Sequence, residues 1–349
     1  MTADAALFAL NQVGSQLDDP LLRREWFAVA WSREIAPRTL LARRLMGKDL
    51  VLWRSQEGVQ CWRDLCVHRG ARLSLGTVRL NKDTSSSGRG DCLVCPYHAW
   101  EYGSSGQFVR IPAHPEMVPP EKARVETFHV RERYGVVWVA MVESAGSVPD
   151  FPLAEGQGFR TILAGPYRFR ALGPRVIENL LDVAHLGFVH AGLLGDPERG
   201  EVEDYEVSAG TEIRGPEARE IRIWQPDPDG TGKPALVNYH YWVNGPLTAA
   251  FEKTEGARRF GILAQVAPID AEYCESRLIM CLNYGDEVTD EDLLRFQDRV
   301  TEQDRAVVES QRPELLPLDL QAELHLRSDR MAIAYRKWLR EIGFIYGTA

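Results

Sequence analysis

The alternation of apolar and polar residues predicts a β-rich first part of the chain. Two short apolar runs, 49–54 and 59–62, are joined by a polar turn sequence at 55–58, which is typical of a β-hairpin. A longer apolar run within 134–142 predicts a buried strand. We therefore expect an all-β domain over residues 24–148.

Segments without an apolar repeat predict the borders of the domains. The Ser/Gly-rich stretch 81–91 is expected to be a surface loop, and the Gly-Ser-Val-Pro sequence at 146–149 is expected to be a linker. We expect a helical arm at 1–23 and a second domain at 149–349.

Further β-rich runs at 235–250, 260–267 and 277–283 predict an antiparallel sheet in the second part. In the first of these runs, apolar and aromatic side chains alternate with polar ones, so one face of the strand is apolar. This face forms either ordinary sheet core or the lining of a flat hydrophobic pocket. Its residues are Val237, Tyr239, Tyr241 and Val243.

A helical pattern runs from Thr289, which can form a capping box with Asp292, to about Gln311. At about 100° per residue, Asp304 lies roughly 20° from Leu293, inside the apolar stripe. A carboxylate that faces the core is costly unless it is paired or metal-bound. Asp304 is thus a metal ligand, a partner in a buried salt bridge, or exposed by a rotation of the helix. The stripe comprises Leu293, Phe296, Val300, Val307 and Val308.

Composition and charge narrow the function classes. With 349 residues, of which 44% are hydrophobic and 26% charged, the chain can build two domains with cores. The net charge of −9 argues against a nucleic-acid partner. No run is long enough to span a bilayer, and the N-terminus lacks a signal-peptide pattern. Six cysteines, two of them in metal-ligand spacing, indicate reduced thiols and a cytoplasmic protein.

Two mixed Cys–His pairs are the clearest chemical signal in the chain. Cys66 and His68 have the spacing C-x-H, and Cys95 and His98 have the spacing C-x-x-H. Two thiolates and two imidazoles are the ligand set of a Rieske [2Fe–2S] cluster, although they also make structural zinc sites. A zinc finger pairs like ligands with like, whereas each pair here is mixed, which favours the cluster.

A second metal site is predicted downstream. His185 and His190 would be about 140° apart on an unbroken helix, so the helix must bend or end near Gly187 for both imidazoles to meet one ion. Two imidazoles and one carboxylate, with open positions, are the ligand set of non-haem iron(II) oxygenases. Asp304 is therefore our predicted third ligand. Asp182 lies three residues before the first histidine, so the two residues are expected to share a helical face.

These motifs resemble those of Rieske non-haem iron oxygenases, specifically their terminal oxygenase components. The chain looks most similar to saxitoxin-pathway hydroxylases and to vanillate- and caffeine-type demethylases. It departs from the family in its longer 81–91 loop, in Val67 where proline is frequent, and in Ala99 where glycine is usual. The segments that carry the resemblance are 52–54, 111–115, 133–138, 311–313, 328–330 and 335–338.

The resemblance implies an α+β fold, in which an all-β Rieske [2Fe–2S] domain precedes a catalytic domain with an antiparallel sheet and helices of the helix-grip type. It implies a mononuclear Fe(II) site in that second domain and a homotrimer. Asp182 matches an aspartate that connects His98 of one subunit to His185 of the next. Asn179 is expected beside the iron ligands.

The implied reaction is O₂-dependent hydroxylation or oxidative demethylation of a ring-containing small molecule. We expect electrons from NAD(P)H through a separate reductase or ferredoxin, because the chain has no dinucleotide-binding glycine motif. The alternatives are a ring cis-dihydroxylating dioxygenase and, in another class, a Rieske electron carrier without catalytic iron. Four arginines near the first Cys–His pair form either a docking patch for an acidic ferredoxin or a solvated surface. They are Arg63, Arg69, Arg72 and Arg79.

Overall fold

The computed structural model describes residues 14, 16–79, 90–117, 120, 122–143, 146–212, 214–228 and 232–349. Most of the expected arm at 1–23 and of the expected loop at 81–91 lies outside these residues. The described chain divides into two compact units, Arg23–Val148 and Pro149–Ala349, and the second unit includes the described residues up to Leu22.

The first unit is built from β-strands in two sheets. In chain order, its strands among the described residues are β1 (Phe27–Trp31), β2 (Leu40–Leu45), β3 (Lys48–Ser55), β4 (Gly58–Arg63), β5 (Thr77–Arg79), β6 (Cys92–Val94), β7 (Glu101–Gly103), β8 (Phe108–Arg110), β9 (Thr127–Arg133) and β10 (Val136–Ala140). One sheet has the order β1-β10-β9-β4-β3-β2, and the other has the order β5-β6-β7-β8.

The predicted hairpin and buried strand are both present in the first unit. Strands β3 and β4 pair antiparallel with Ser55 opposite Gly58, so two residues make the turn. Every residue of β10 is buried, as the continuous apolar run predicted.

Aromatic side chains from both sheets form one core in the first unit. Trp53 and Trp62 meet edge to face with ring centroids 5.1 Å apart, and Tyr102 packs on Trp62 from the other sheet. Cys66 and Cys95 belong to the same buried cluster. The two predicted ligand loops are therefore anchored in the core of this unit.

The second unit is an antiparallel sheet with helices packed on it. Its strands among the described residues are β11 (Arg160–Phe169), β12 (Glu206–Ser208), β13 (Glu217–Gln225), β14 (Ala235–Gly245), β15 (Thr248–Glu255), β16 (Arg258–Pro268) and β17 (Cys274–Leu282), and its helices are α1 (Gly173–Leu181), α2 (Asp290–Val308) and α3 (Arg330–Ile342). The strand order is β11-β17-β16-β15-β14-β13-β12. Helix α1 packs on β15 and β16, and α2 packs on β11.

The buried face of α2 is rotated relative to the predicted apolar stripe. Val300, Thr301 and Val308 are buried, whereas Phe296 and Val307 are 37% and 41% exposed. Polar Thr301 thus replaces two expected apolar residues on the packed side. Thr289 caps the helix as predicted, because its hydroxyl accepts a hydrogen bond from the Asp292 amide.

The described end of the N-terminal segment packs against the C-terminus of the chain. The Asp19 carboxylate accepts a hydrogen bond from the Ile345 amide at 2.8 Å, and the Gln16 side chain accepts one from the Gly347 amide at 3.0 Å. These contacts tie residues of the expected arm to the second unit. In the described part of the chain, no helix has the length and apolar character needed to cross a membrane.

Candidate metal centres and cavity

The two Cys–His loops of the first unit have matching backbone geometry. In each loop, the carbonyl of the cysteine accepts a hydrogen bond from the amide four residues later, from Gly70 to Cys66 at 2.9 Å and from Ala99 to Cys95 at 3.1 Å. Both of these later residues have left-handed backbone, with φ of 69° and 54°. The same turn therefore presents a cysteine and a histidine twice.

The four predicted cluster residues lie side by side. Cys66 and Cys95 are 3% and 2% exposed, and the ring centroids of His68 and His98 are 4.7 Å apart. The thiols lie inside the unit, whereas His98 is exposed and His68 partly exposed. A cluster held in this way would have its thiolate-bound iron buried and its imidazole-bound iron near the surface.

Two local observations fit a metal at these residues. The Nδ1 atom of His68 is buried and has no hydrogen-bond partner among the described residues, which is costly unless a metal takes the lone pair. The Tyr102 hydroxyl lies 3.1 Å from Cys66 Sγ and can donate a hydrogen bond to a thiolate. Sequence reasoning missed this tyrosine, and it also missed Trp100, which stacks on the His68 ring at 4.3 Å.

The surface near these loops is not a free patch of positive charge. Three of the four arginines named above contact carboxylates, which favours a solvated surface over a docking patch. The pairs are Arg63–Glu126 at 3.4 Å, Arg72–Asp49 at 3.3 Å, and Arg79–Glu101.

In the second unit, His185, His190 and Asp304 come together with their ligand atoms within 4.8 Å of one another. The Asp304 Oδ1 atom lies 3.0 Å from Nε2 of His190 and 3.5 Å from Nε2 of His185. Asp304 thus faces two imidazoles rather than an arginine or open solvent. Two imidazoles and a carboxylate converging on one point match a facial iron-binding triad.

A break in the chain after α1 brings the two histidines together. Helix α1 ends at Leu181, and a 3₁₀ turn over Ala184–Gly187 carries His185. The helix therefore ends before the predicted position near Gly187. Asp182 sits at the break in extended backbone, so it does not share a continuous helical face with His185.

The outer nitrogens of both imidazoles face oxygen acceptors. Nδ1 of His190 lies 2.8 Å from Oε1 of Gln303, and Nδ1 of His185 lies 3.7 Å from Oδ2 of Asp182. The Gln303 oxygen keeps the proton of His190 on Nδ1, whereas Nδ1 of His185 is too far from Asp182 for a hydrogen bond and has no hydrogen-bond partner among the described residues. The Nε2 atoms of both rings face Asp304, so the residues present fit an iron ion. Sequence reasoning missed Gln303, because nothing in the local pattern distinguishes it from a surface glutamine.

The surroundings of His190 and Asp182 shift the pKa values of both groups. Burial opposes protonation of His190, but hydrogen bonds to Asp304 and Gln303 raise its pKa above the ordinary value. Burial opposes ionisation of Asp182, but the nearby His185 imidazole and a hydrogen bond from the Ala184 amide lower its pKa. Asn179 lies at the edge of the site, with Nδ2 3.5 Å from Asp304 Oδ1.

A cavity of about 410 Å³ opens beside the triad, within the second unit. Its size is in the range of small-molecule pockets. Helix α2 contributes Phe296, Val300 and Asp304 to the wall. The sheet contributes two rows of cross-strand neighbours, Tyr239–Lys253–Phe260 and Tyr241–Phe251–Ile262.

Of the four residues on the predicted apolar face of β14, two line the cavity and two belong to the core of the sheet. Tyr239 and Tyr241 line the cavity, as the pocket alternative expected. Val237 and Val243 are buried at 1% and 0% exposure and are ordinary core. The charged Lys253 between the aromatic residues of the first row was not predicted.

Comparisons with known proteins cover both units. The family described as "Rieske [2Fe-2S] domain" matches residues 25–129, and "Vanillate O-demethylase oxygenase C-terminal domain" matches residues 169–343. The first match supports the iron–sulfur interpretation over the zinc alternative. The second match covers the segments that carry Asp182, both histidines and Asp304.

Individual relatives match either most of the chain or a part of it. Methylxanthine N1-demethylase NdmA of Pseudomonas putida is 31% identical over 92% of this chain and 89% of its own. The solved structure of Pseudomonas putida NdmB is 27% identical, covers 93% of both chains and has a TM-score of 0.77. Oxidoreductase NdmD of the same species is 36% identical over 35% of this chain and 19% of its own.

The expected α+β architecture, a β Rieske domain followed by an antiparallel-sheet catalytic domain, is confirmed.

Proposed function

Because the chain belongs to the Rieske non-haem iron oxygenases, we propose that it is a terminal oxygenase that oxidatively demethylates a ring-containing small molecule. The convergence of His185, His190 and Asp304 at the wall of a 410 Å³ cavity carries this proposal. Its cofactors are a [2Fe–2S] cluster and a mononuclear iron. Hydroxylation without loss of a methyl group is the second outcome of the same chemistry.

We assign the cluster to Cys66, His68, Cys95 and His98, and the mononuclear iron to His185, His190 and Asp304. When bound at these residues, the two groups would supply single-electron transfer and the activation of O₂ beside the substrate. The protein's own part is to hold both imidazoles with Nε2 towards one point. Gln303 does this through a hydrogen bond with Nδ1 of His190. Asp182, whose carboxylate lies 3.7 Å from Nδ1 of His185, would orient that ring.

The cavity would bind and orient the substrate. Its aromatic floor, with Tyr241 and Phe251 5.3 Å apart, suits a planar ring. Oxygen insertion into an N- or O-methyl group consumes O₂, two electrons and two protons and yields water and a hydroxymethyl group. That group leaves as formaldehyde, with a proton returning to the nitrogen or oxygen of the ring compound.

Asp182 is proposed to connect the two kinds of metal site between subunits of a homotrimer. One of its oxygens accepts a hydrogen bond from the Ala184 amide at 2.8 Å, and the other lies 3.7 Å from His185. Its side chain is nevertheless 39% exposed, so it can also receive a hydrogen bond from a neighbouring subunit. Asn179, beside Asp304, is proposed to steady the carboxylate.

Electrons are proposed to come from NAD(P)H through a separate reductase or ferredoxin. The partial likeness to oxidoreductase NdmD supports an electron-transfer system built from related Rieske domains. We also propose a cytoplasmic location. All six cysteines are unpaired and buried, as suits a reducing compartment.

Iron counting and product analysis test the proposal together. Purified holoprotein should hold about three irons per chain, two in the cluster and one in the triad. With a surrogate reductase, a substrate screen should show stimulated O₂ uptake and formaldehyde release. About two irons and no stimulated uptake would indicate an electron carrier, and a gain of two oxygens would indicate cis-dihydroxylation.

A further inference from the structure

A lysine lies in the aromatic floor of the cavity. Lys253 is on the central strand β15, and its cross-strand neighbours are Tyr239 on β14 and Phe260 on β16. The residue is only 9% exposed, and its Nζ atom lies 5.4 Å from the centroid of the Phe260 ring. No other lysine or arginine among the described residues lines this cavity.

The polar contacts of this ammonium group are to neutral oxygens. Nζ donates hydrogen bonds to the Pro228 carbonyl at 2.6 Å and to Oε1 of Gln225 at 3.2 Å. Within the described residues, no carboxylate lies within the 4.0 Å distance of an ion pair with Lys253. A buried charge without a counter-ion is expensive, and sheet floors are normally apolar. A bound anion would remove that cost.

Gln225, which contacts Lys253, also contacts the hydroxyl of Tyr239, and this hydroxyl is a second possible hydrogen-bond donor. Nε2 of Gln225 donates to the Leu194 carbonyl at 3.0 Å, which fixes the orientation of the amide. Nε2 also donates to the Tyr239 hydroxyl at 3.0 Å. In the described part of the chain, no acceptor takes the hydroxyl proton of Tyr239. The ammonium group and this hydroxyl are thus two donors, held by one fully buried amide.

We propose that Lys253 and Tyr239 bind the carboxylate of the substrate, so that the ring compound oxidised here is an aromatic acid. This inference rests on the proposed function and specifies its substrate class. Lys253, Tyr239 and the His185–His190–Asp304 triad line the same cavity, so a ring compound held by the donor pair lies in the cavity onto which the triad opens. The carboxylate fixes one end of the ring, and the remaining substituents then face the metal.

The protonation state of the lysine agrees with this role. Burial lowers the pKa of Lys253 to about 8, and the charges of Glu255 and Asp227 limit the decrease. The group is therefore mainly protonated at pH 7. A bound carboxylate would stabilise the protonated form further.

Matched acid and amide probes test the inference with the holoenzyme. The probes are 3- and 4-methoxybenzoate and the corresponding methoxybenzamides, which share ring and methyl group and differ in charge. Calorimetric titration should show each acid bound roughly ten- to a hundredfold more tightly than its amide. The substitution Lys253→Met should remove this preference and leave amide binding within about twofold.

Control variants separate this role from a structural one. Lys337→Met removes an exposed charge on α3 and should leave the acid preference unchanged. Tyr239→Phe keeps the ring and removes one donor, so it should weaken acid binding alone, even if Lys253→Met does not fold. Iron and cluster content of every variant should match the unsubstituted protein.

The possible results separate the inference from the proposed function. The inference is overturned if neither acid binds more tightly than its amide, or if the substitutions weaken acid and amide binding equally. Tight, Lys253-dependent binding of the acids without formaldehyde or hydroxylated product would keep the anion site and refute the demethylase. Formaldehyde released only from the amides would keep the demethylase and refute the anion site.

Discussion

At the residue scale, the second ligand loop contains an avoidable strain. Ala99 has φ of 54°, in the left-handed region that favours glycine, and the corresponding Gly70 of the first loop has φ of 69°. The sequence signalled this position, because Ala99 departs from the glycine that is usual in the family. A left-handed alanine costs about 1 kcal/mol relative to glycine.

The substitution Ala99→Gly should therefore stabilise the first unit by about 1 kcal/mol. Urea denaturation of the holoprotein, followed by loss of the cluster's visible absorbance, measures the change. Ala71→Gly in the first loop is the matched control, since Ala71 has no left-handed backbone, and it should destabilise by a few tenths to about 1 kcal/mol. Equal effects of the two substitutions would contradict this account.

Gln303 is the positioning residue whose removal should affect iron binding most selectively. Gln303→Leu removes the acceptor for Nδ1 of His190, so the ring can rotate or change tautomer. Iron affinity should fall roughly ten- to a hundredfold. An iron-binding titration, with the cluster absorbance as an internal control, measures this, and Gln303→Glu should retain most of the affinity. Loss of the cluster together with the iron would instead indicate misfolding.

The pH dependence of substrate binding follows from Lys253. Only the protonated lysine pairs with a carboxylate, so acid binding should be full below pH 8 and should weaken as the pH rises through about 8. The other titratable groups near it are the carboxylates of Asp227 and Glu255, and Tyr239 and Tyr284, whose pKa values burial raises. Calorimetric titration of 4-methoxybenzoate between pH 6.5 and 9.5 tests this, and a flat profile would contradict it.

At the scale of elements, a buried charge network holds α1 against α3. Arg336 of α3 donates to Glu178 of α1 at 2.9 Å and also contacts Glu323. Arg175 of α1 donates to Glu323 at 3.0 Å. Asp182 follows α1 directly and His185 comes three residues later, so this network holds the helix from which the proposed iron ligand His185 extends.

Removing an arginine from this buried network should lower the free energy of unfolding far more than removing an arginine from an exposed ion pair. Arg336→Met leaves Glu178 buried without its main partner, so the free energy of unfolding should fall by about 3 kcal/mol or more. Arg295→Met on α2 removes an ion pair whose arginine is 64% exposed, so its effect should stay below about 1 kcal/mol. Urea denaturation of both variants measures the difference. Similar losses would show that the buried network does not support α1.

Local spacing in the sequence predicted the residues that we propose as metal ligands, but it did not predict the residues that support them. The Cys–His pairs are close in sequence, and the helical period placed Asp304 inside the buried face of α2 despite the rotation of that face. Lys253 and Gln303 could not be found in this way, because their importance comes from partners far away in the sequence. The pairing of Lys253 with Gln225 depends on the neighbouring strands β13–β15, which no local pattern reveals.

At the scale of the whole molecule, the proposed trimer predicts that two variants, each inactive alone, recover activity when they assemble together. If each cluster serves the iron of a neighbouring subunit, a chain with only a cluster and a chain with only an iron should complement each other. Cys66→Ser removes a proposed cluster ligand, and His185→Ala removes a proposed iron ligand. Each variant alone should be inactive.

Co-expression of the two variants with different affinity tags, followed by purification through both tags, yields mixed assemblies. Formaldehyde release should reappear in these mixed trimers, because some neighbouring pairs combine an intact cluster with an intact iron site. Trimers of one variant, mixed after purification without subunit exchange, are the control and should stay inactive.

Adding Asp182→Asn to the chain that retains the iron site should abolish the recovery, since that aspartate is proposed to form the contact between subunits. Inactive mixed trimers with full metal content in the intact sites would place electron transfer within one chain, and Asp182 would then serve only to orient His185.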